Sequence, residues 1–222
     1  MSILISTLGV FTQYWPVFLQ GLLATLLTSF VVVLFGTLLG ILLSTIRLSK
    51  YRALSGLVET MVSFLRGTPL LLQLYFFYFA LPQILGMDIP KEVSIIMALI
   101  LNSSAYVCEI FRAGIQAVDP GQREAAESLG MREKHIMLRI IIPQAIKNIL
   151  PALGNEFVTM IKETSLASTF YVADLMTSYR VVMNASYKAV ESLLILALVY
   201  FALTYTSSRL VGVLERKLMA SV

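Results

Sequence analysis

The first 46 residues contain no Asp, Glu, Lys, Arg or His. About 20 apolar helical residues cross a hydrocarbon core of roughly 30 Å, so a charge-free stretch of this length commits the chain to a membrane before any motif is read. The rest agrees: 58% of the 222 residues are hydrophobic and 14% are charged, where soluble domains run near 25% charged. Within the charge-free stretch Pro16 is expected to break the helix. Met1–Trp15 then reads as a loop or interfacial segment, with Tyr14 and Trp15 at the membrane boundary, and the first span as about 17–46. Gly36-x-x-x-Gly40 inside it suits close helix packing.

Further spans are expected at about 54–81, 93–117, 140–161 and 192–209, with Pro82 ending the second. The fourth is the weakest, because Lys147, Pro151, Gly154 and Glu156 fall inside it. Basic residues give the orientation. Of 17 Lys and Arg, twelve (Arg47, Lys50, Arg52, Arg112, Arg123, Arg132, Lys134, Arg139, Lys147, Arg209, Arg216 and Lys217) fall on one side of this arrangement. Lys91, Lys162, Arg180 and Lys188 fall on the other, and Arg66 is the remaining one. Positive loops stay cytosolic, so the N-terminus is expected outside and the C-terminus inside a cell membrane. The fold class is all-α: a polytopic membrane protein of five transmembrane helices, residues 1–222 forming a single transmembrane domain.

The main polar run, Arg123 to Pro143, is too charged for hydrocarbon, where a central charge is worth about 2.5–3.5 kcal/mol or more against insertion. It also carries helix signals. Asp119 is placed to cap, Pro120 to take the first helical position, and Gln122 to sit three after the cap. Ala125, Ala126 and Leu129 give a short apolar face, and Gly130 suits a left-handed stop. Pro143 is expected to begin a new element. A folded, charged loop (118–139) with an apolar face reads as a docking surface.

Glu124-Ala125-Ala126, three residues, Gly130, nine residues, Ile140, one residue, Ile142-Pro143 resembles the EAA loop of ABC-importer membrane subunits; Ile142 stands where the family pattern has Leu. Arg66-Gly67-Thr68-Pro69, Ala105-Tyr106 with Glu109 and Arg112, and Lys162-Glu163-Thr164-Ser165-Leu166 are similar to the polar amino acid (histidine/glutamine/arginine-type) uptake branch. The resemblance implies a type I ABC importer-like permease with a cytosolic coupling helix. It implies that Glu124, Ala125, Ala126, Leu129 and Gly130 couple to a separate ATPase subunit, present in two copies. It also implies a second permease subunit, in a homodimer or heterodimer, and an extracellular or periplasmic binding protein that delivers the amino acid.

The chain's own chemistry fits a subunit without catalysis. A phosphate-binding loop needs Gly-x-x-x-x-Gly-Lys-Ser/Thr, and none of the 12 glycines precedes a lysine. No cofactor is expected in this chain; ATP and Mg would be held by the partner. With one His and one Cys, no zinc set is available. Nucleic acid is not expected as a partner, since basic residues are not clustered away from apolar spans.

The remaining outliers are ionisable groups in or at the ends of spans: Arg66, Glu109, Glu156, Lys162 and Glu163. Such groups face a cavity or a partner charge. Candidate substrate contacts are Glu163, Ser103, Thr164, Ser165, Glu109, Arg66 and Lys162. The bland alternative for the charges is a structural ion pair, for instance Arg66 with Glu109. An acid at Glu163 suits a cationic side chain, so arginine, lysine or histidine is the expected cargo. An ion-gradient-driven secondary amino acid transporter would explain the intramembrane charges but not the docking loop. A non-transport membrane scaffold would leave Glu124–Leu129 as an ordinary contact surface.

Overall fold

The computed structural model describes residues 2–219, and among them only helices and turns occur. In chain order they are α1 (Ser2–Arg47), α2 (Arg52–Gly67), α3 (Leu70–Leu85), α4 (Lys91–Gln116), α5 (Pro120–Ser128), α6 (Glu133–Phe170), α7 (Leu175–Ser186) and α8 (Ala189–Met219). Four of these are long and apolar enough to cross a membrane, and the bent pair α2 and α3 makes a fifth if it counts as one span. The fold is that of an all-α polytopic membrane protein.

Several prolines act differently from expectation. Pro16 does not break α1, which is continuous from Ser2. Val10 and Phe18 lie on either side of it, and both are buried in one core with Leu175, Val182, Ile195 and Leu196. Packing on both sides holds the helix through the lost hydrogen bond, as neighbouring helices do in membranes. Met1 lies outside the described residues. Pro151 likewise lies inside a continuous helix. Gly154 serves packing there: a Cβ would stand 2.7 Å from Val211 of α8. Pro69, expected inside an element, separates α2 from α3.

Pro82 and Pro143 share a device. Pro82 does not end α3; Gly86, at φ 63°, follows its last turn. Pro143 does not begin a new element; α6 runs through it. Each proline comes two residues after a π turn, Phe76–Ala80 in α3 and Met137–Ile141 in α6. In each turn a backbone N–H reaches five residues back, Leu81 to Phe76 and Ile142 to Met137. The wider turn shifts the carbonyl that the proline ring would otherwise strike. α6 closes in a 3₁₀ segment, Thr164–Phe170.

The chain packs as two compact units. One comprises 1–34, 69–100 and 157–207; the other comprises 35–68, 101–156 and 208–222. The first has two apolar cores. Val32, Leu74, Ile95, Leu99, Met160 and Phe170 belong to one, and the Val10 cluster is the other. The aromatic run of α3 joins the former. Tyr75 and Tyr78 pack on Phe170 at ring-centroid distances of 5.0 and 5.1 Å, while Tyr75, Phe76 and Phe79 stay exposed.

In the second unit α1 and α4 run parallel and very close. A Cβ on Gly36 would stand 2.9 Å from the Ser103 side chain, and one on Gly40 would stand 2.6 Å from Val107. Both contacts join residue i to residue i + 67, which only parallel helices can do. The glycine pair is therefore used within this chain. Leu43, Val58, Val62, Leu65, Ala105 and Cys108 complete that core.

Candidate functional site

The loop after α4 folds as its sequence signals require. Asp119 caps α5, its Oδ1 accepting the Gly121 N–H at 2.8 Å, and Pro120 takes the first turn. At the other end the Gly130 N–H donates to the Glu127 carbonyl at 2.9 Å and the Met131 N–H to the Ala126 carbonyl at 3.1 Å. Gly130 sits at φ 74°. This is the paired-bond stop that a left-handed glycine allows. Ala126 is 3% exposed and packs in one core with Val118, Ile136, Ile141, Ala145 and Ile149. The expected apolar face is thus divided. Ala126 belongs to the permanent core, while Ala125 and Leu129 point away from it, Leu129 being 83% exposed. Glu124 and Gly130 are exposed beside them.

A second constellation is centred on Glu109, in the penultimate turns of α4. Its Oε2 accepts from Arg47 of α1 at 2.7 Å and lies 3.4 Å from Arg66 of α2; its Oε1 accepts from Arg112. Arg47 also reaches Glu59 at 3.2 Å. The Arg66 guanidinium lies over the Tyr106 ring, 5.6 Å from its centroid. Arg66, Tyr106 and Glu109, with Ala113, Gly114 and Asn148, line a groove of about 320 Å³.

A third lies in the same unit. Ser103 is fully buried and donates its hydroxyl to Glu156 Oε1 at 2.8 Å; Glu156 itself is 7% exposed. Asn102 and Ser104 are buried beside Ser103 in sequence, and Ser104 returns its hydroxyl to the Leu101 carbonyl.

In the other unit, Lys162 is exposed and Glu163 half-buried at the end of the α-helical part of α6. Thr164 is buried, and its hydroxyl donates to the Ile161 carbonyl at 3.0 Å. Lys162 and Ser165 line a cleft of about 270 Å³ with Tyr200, Phe201 and Thr204. Beyond the 3₁₀ segment Asp174 caps α7, its Oδ1 accepting the Thr177 N–H at 2.7 Å. It is 3% exposed, and its Oδ2 meets no hydrogen-bond partner among the described residues. Burial pushes its carboxyl above the ordinary value, against the opposing pull of the Thr177 hydrogen bonds. Among the described residues no three His, Cys, Asp or Glu side chains gather as a metal site.

The profile of the family described as "Binding-protein-dependent transport system inner membrane component" matches residues 36–220. The chain belongs to that family. This inner membrane component is 40% identical over 206 residues to the "Arginine transport system permease protein ArtQ" of Bacillus subtilis (strain 168), covering 93% of this chain and 94% of the relative. It is 41% identical over 202 residues to the "Putative glutamine transport system permease protein GlnP" of Rickettsia bellii (strain RML369-C), covering 91% and 93%. Among solved structures it matches the "Crystal structure of an amino acid ABC transporter with histidines" at TM-score 0.90 and 45% identity, over 93% of this chain and 96% of that one. An inward-facing MetNI methionine ABC transporter matches at TM-score 0.75 and 17% identity over 91% of this chain and 96% of that one, a likeness of fold. The protein is a permease subunit of an amino acid ABC importer, with the type I fold.

Within the permease the expected substrate residues are drawn from both compact units. Ser103, Arg66 and Glu109 belong to one unit; Lys162, Glu163, Thr164 and Ser165 belong to the other. The Arg66–Glu109 pair forms, as the bland alternative held. Sequence reasoning omitted Glu156 from the candidate contacts, although an acid inside a span is itself the signal. It also missed Arg47, whose place at the end of a span resembled ordinary positive-inside charge.

Proposed function

We propose that this permease subunit translocates cationic amino acids (arginine, lysine or histidine) by alternating access, driven by ATP hydrolysis on a separate ATPase subunit. The observation that carries the proposal is α5: a helix capped at both ends, fixed to its own core by Ala126, with Leu129 83% exposed. Glu124, Ala125, Leu129 and Gly130 are the proposed docking and coupling surface, and Ala126 supports it from beneath. Two ATPase copies, a second permease chain and an external binding protein complete the importer; the family's binding-protein dependence supports the last. The proposed orientation, N-terminus outside and C-terminus cytosolic, rests on the basic-residue bias.

The cationic cargo is supported by a carboxylate buried within a spanning helix, Glu156, with the Ser103 hydroxyl on it. A relative named for arginine transport points the same way. Lys162, Glu163, Thr164 and Ser165 are proposed contacts in their own unit, where the cleft beside Lys162 and Ser165 gives access. Arg66 and Glu109 satisfy each other and are proposed as structural. Glutamine is the second reading, favoured by the relatives named for it.

The test is reconstitution with the co-purified ATPase and a screen of arginine, lysine, histidine and glutamine for ATP-dependent uptake. Leu129→Asp places a charge in the docking face and should abolish co-purification while leaving the permease folded. Uptake driven by a proton or sodium gradient without ATP, or normal ATPase retention by Leu129→Asp, would overturn the reading.

A further inference from the structure

The end of α4 is tied to α5 by short, ordered links. Ala117 and Val118 continue its hydrogen bonding, their N–H groups donating to Ala113 and Ile115 carbonyls at 2.9 and 3.4 Å. Val118 is buried in one core with Ala126 of α5 and Ile136 of α6. Gly114 lies so close to α6 that an added Cβ would stand 2.4 Å from Ile149. A force on α5 therefore meets the last turns of α4 with little slack between them, since packed interiors deform little.

Those turns carry Glu109. One carboxylate there holds a guanidinium from each of α1, α2 and α4. The Arg47 side chain is 13% exposed and that of Glu109 is 21%, so solvent screens this pair only partly. Arg66 is the looser arm, at 3.4 Å and 38% exposed, and it sits one residue from the end of α2. Three positive groups around one acid exceed what neutralising a charge requires. Ser55 of α2 also donates its hydroxyl to the Arg47 carbonyl at 2.6 Å, but Glu109 is the group that brings charged side chains of α1, α2 and α4 to one point.

We propose that Glu109 is a positioning residue for transport: it binds the ends of α1 and α2 to α4, so that a displacement of α5 by the ATPase carries all of them as one body. The inference rests on the coupling reading of α5 given above. It assigns Glu109 no contact with the cargo.

The test uses the complete importer in liposomes, with wild-type, Glu109→Gln and Glu109→Asp permeases. Glu109→Gln keeps the side-chain shape and removes the charge. It should retain the ATPase and hydrolyse ATP, while amino acid imported per ATP falls at least tenfold at unchanged KM for the amino acid. Glu109→Asp should recover part of that ratio. An import-to-hydrolysis ratio equal to wild type in Glu109→Gln overturns the proposal. A wild-type complex that neither binds an ATPase nor imports with ATP defeats the coupling reading instead.

Spin labels on Leu48, after α1, and Ser128, in α5, give a readout that does not depend on turnover. Their separation should hold constant through the ATP cycle in the wild type and become ATP-dependent in Glu109→Gln. A constant separation in both also overturns the proposal.

Discussion

Glu109 and Glu156 are both carboxylates on membrane-spanning helices of one compact unit, and they are built differently. Glu109 is gripped by guanidinium groups on three helices, and a groove opens beside it. Glu156 is 7% exposed and takes a serine hydroxyl from α4. A charge surrounded by fixed opposite charges is neutralised for good and becomes a structural joint. Glu156 instead lies deep in its unit with the Ser103 hydroxyl on one oxygen, the setting in which the cargo contact is proposed. On the proposals above, Glu109 belongs to the machinery that moves helices and Glu156 to the machinery that meets the cargo, and each acid can be tested against the other.

The largest expected effect is at Glu156. Glu156→Gln should lower arginine uptake about 100-fold, on the scale of the 2–5 kcal/mol that accompanies loss of one partner of a buried charge contact. ATPase retention should be unaffected. Initial-rate uptake in proteoliposomes measures it. If glutamine becomes the better substrate in the variant, the acid sets charge preference. If arginine uptake is unchanged, the distinction between the two acids fails.

The next effect tests the seam from which both acids are supported. Glu109 and Ser103 project from α4, and α4 is held to α1 where Gly36 and Gly40 leave no room for a side chain. Gly40→Val would place atoms inside Val107, whose Cβ already lies 2.6 Å from where any Cβ would go. Overpacking of this kind costs about 1–3 kcal/mol. The variant should show a lower Tm in detergent and a loss of both coupling and uptake. Gly212→Val should leave all three unchanged, since a Cβ there meets nothing within 4 Å. A Gly40→Val variant that lost uptake alone would show that the two acids do not share this support.

The sequence made one of these regions readable and hid the other. Asp119, Pro120 and Gly130 each act within four residues of themselves, so α5 and its stop can be read locally. Its outward face was only half readable. Ala126 and Leu129 are both apolar, and only the packing of Val118 and Ile136 decides that the first turns inward. The joint at Glu109 depends on Arg47, 62 positions away, and the contact of Glu156 on Ser103, 53 away. Hydropathy reports neither distance. Prolines misled for a related reason: the effect at 16 is overridden by neighbours, and at 82 and 143 by a π turn that no residue type announces.

The smallest expected effect uses a third acid as a control. Asp174 is 3% exposed, and one of its oxygens caps α7 while the other meets no hydrogen-bond partner among the described residues. Its carboxyl is raised above the ordinary value chiefly by burial. The folded state therefore holds the proton more tightly than the unfolded chain, whose value is about 3.9. Stability is fully present below that pH and declines as pH rises through the folded value. Asparagine keeps the cap, because Asn and Asp rank alike at that position, and it has no charge to desolvate. The wild type and Asp174→Asn should therefore share one Tm in acid, and the variant should be the more stable at pH 7. A wild type more stable than Asp174→Asn at pH 7 would mean that the free oxygen meets a positive partner in the assembled importer. Asp174 would then stand with Glu109 as a joint, and Glu109 would no longer be set apart from the other buried acids.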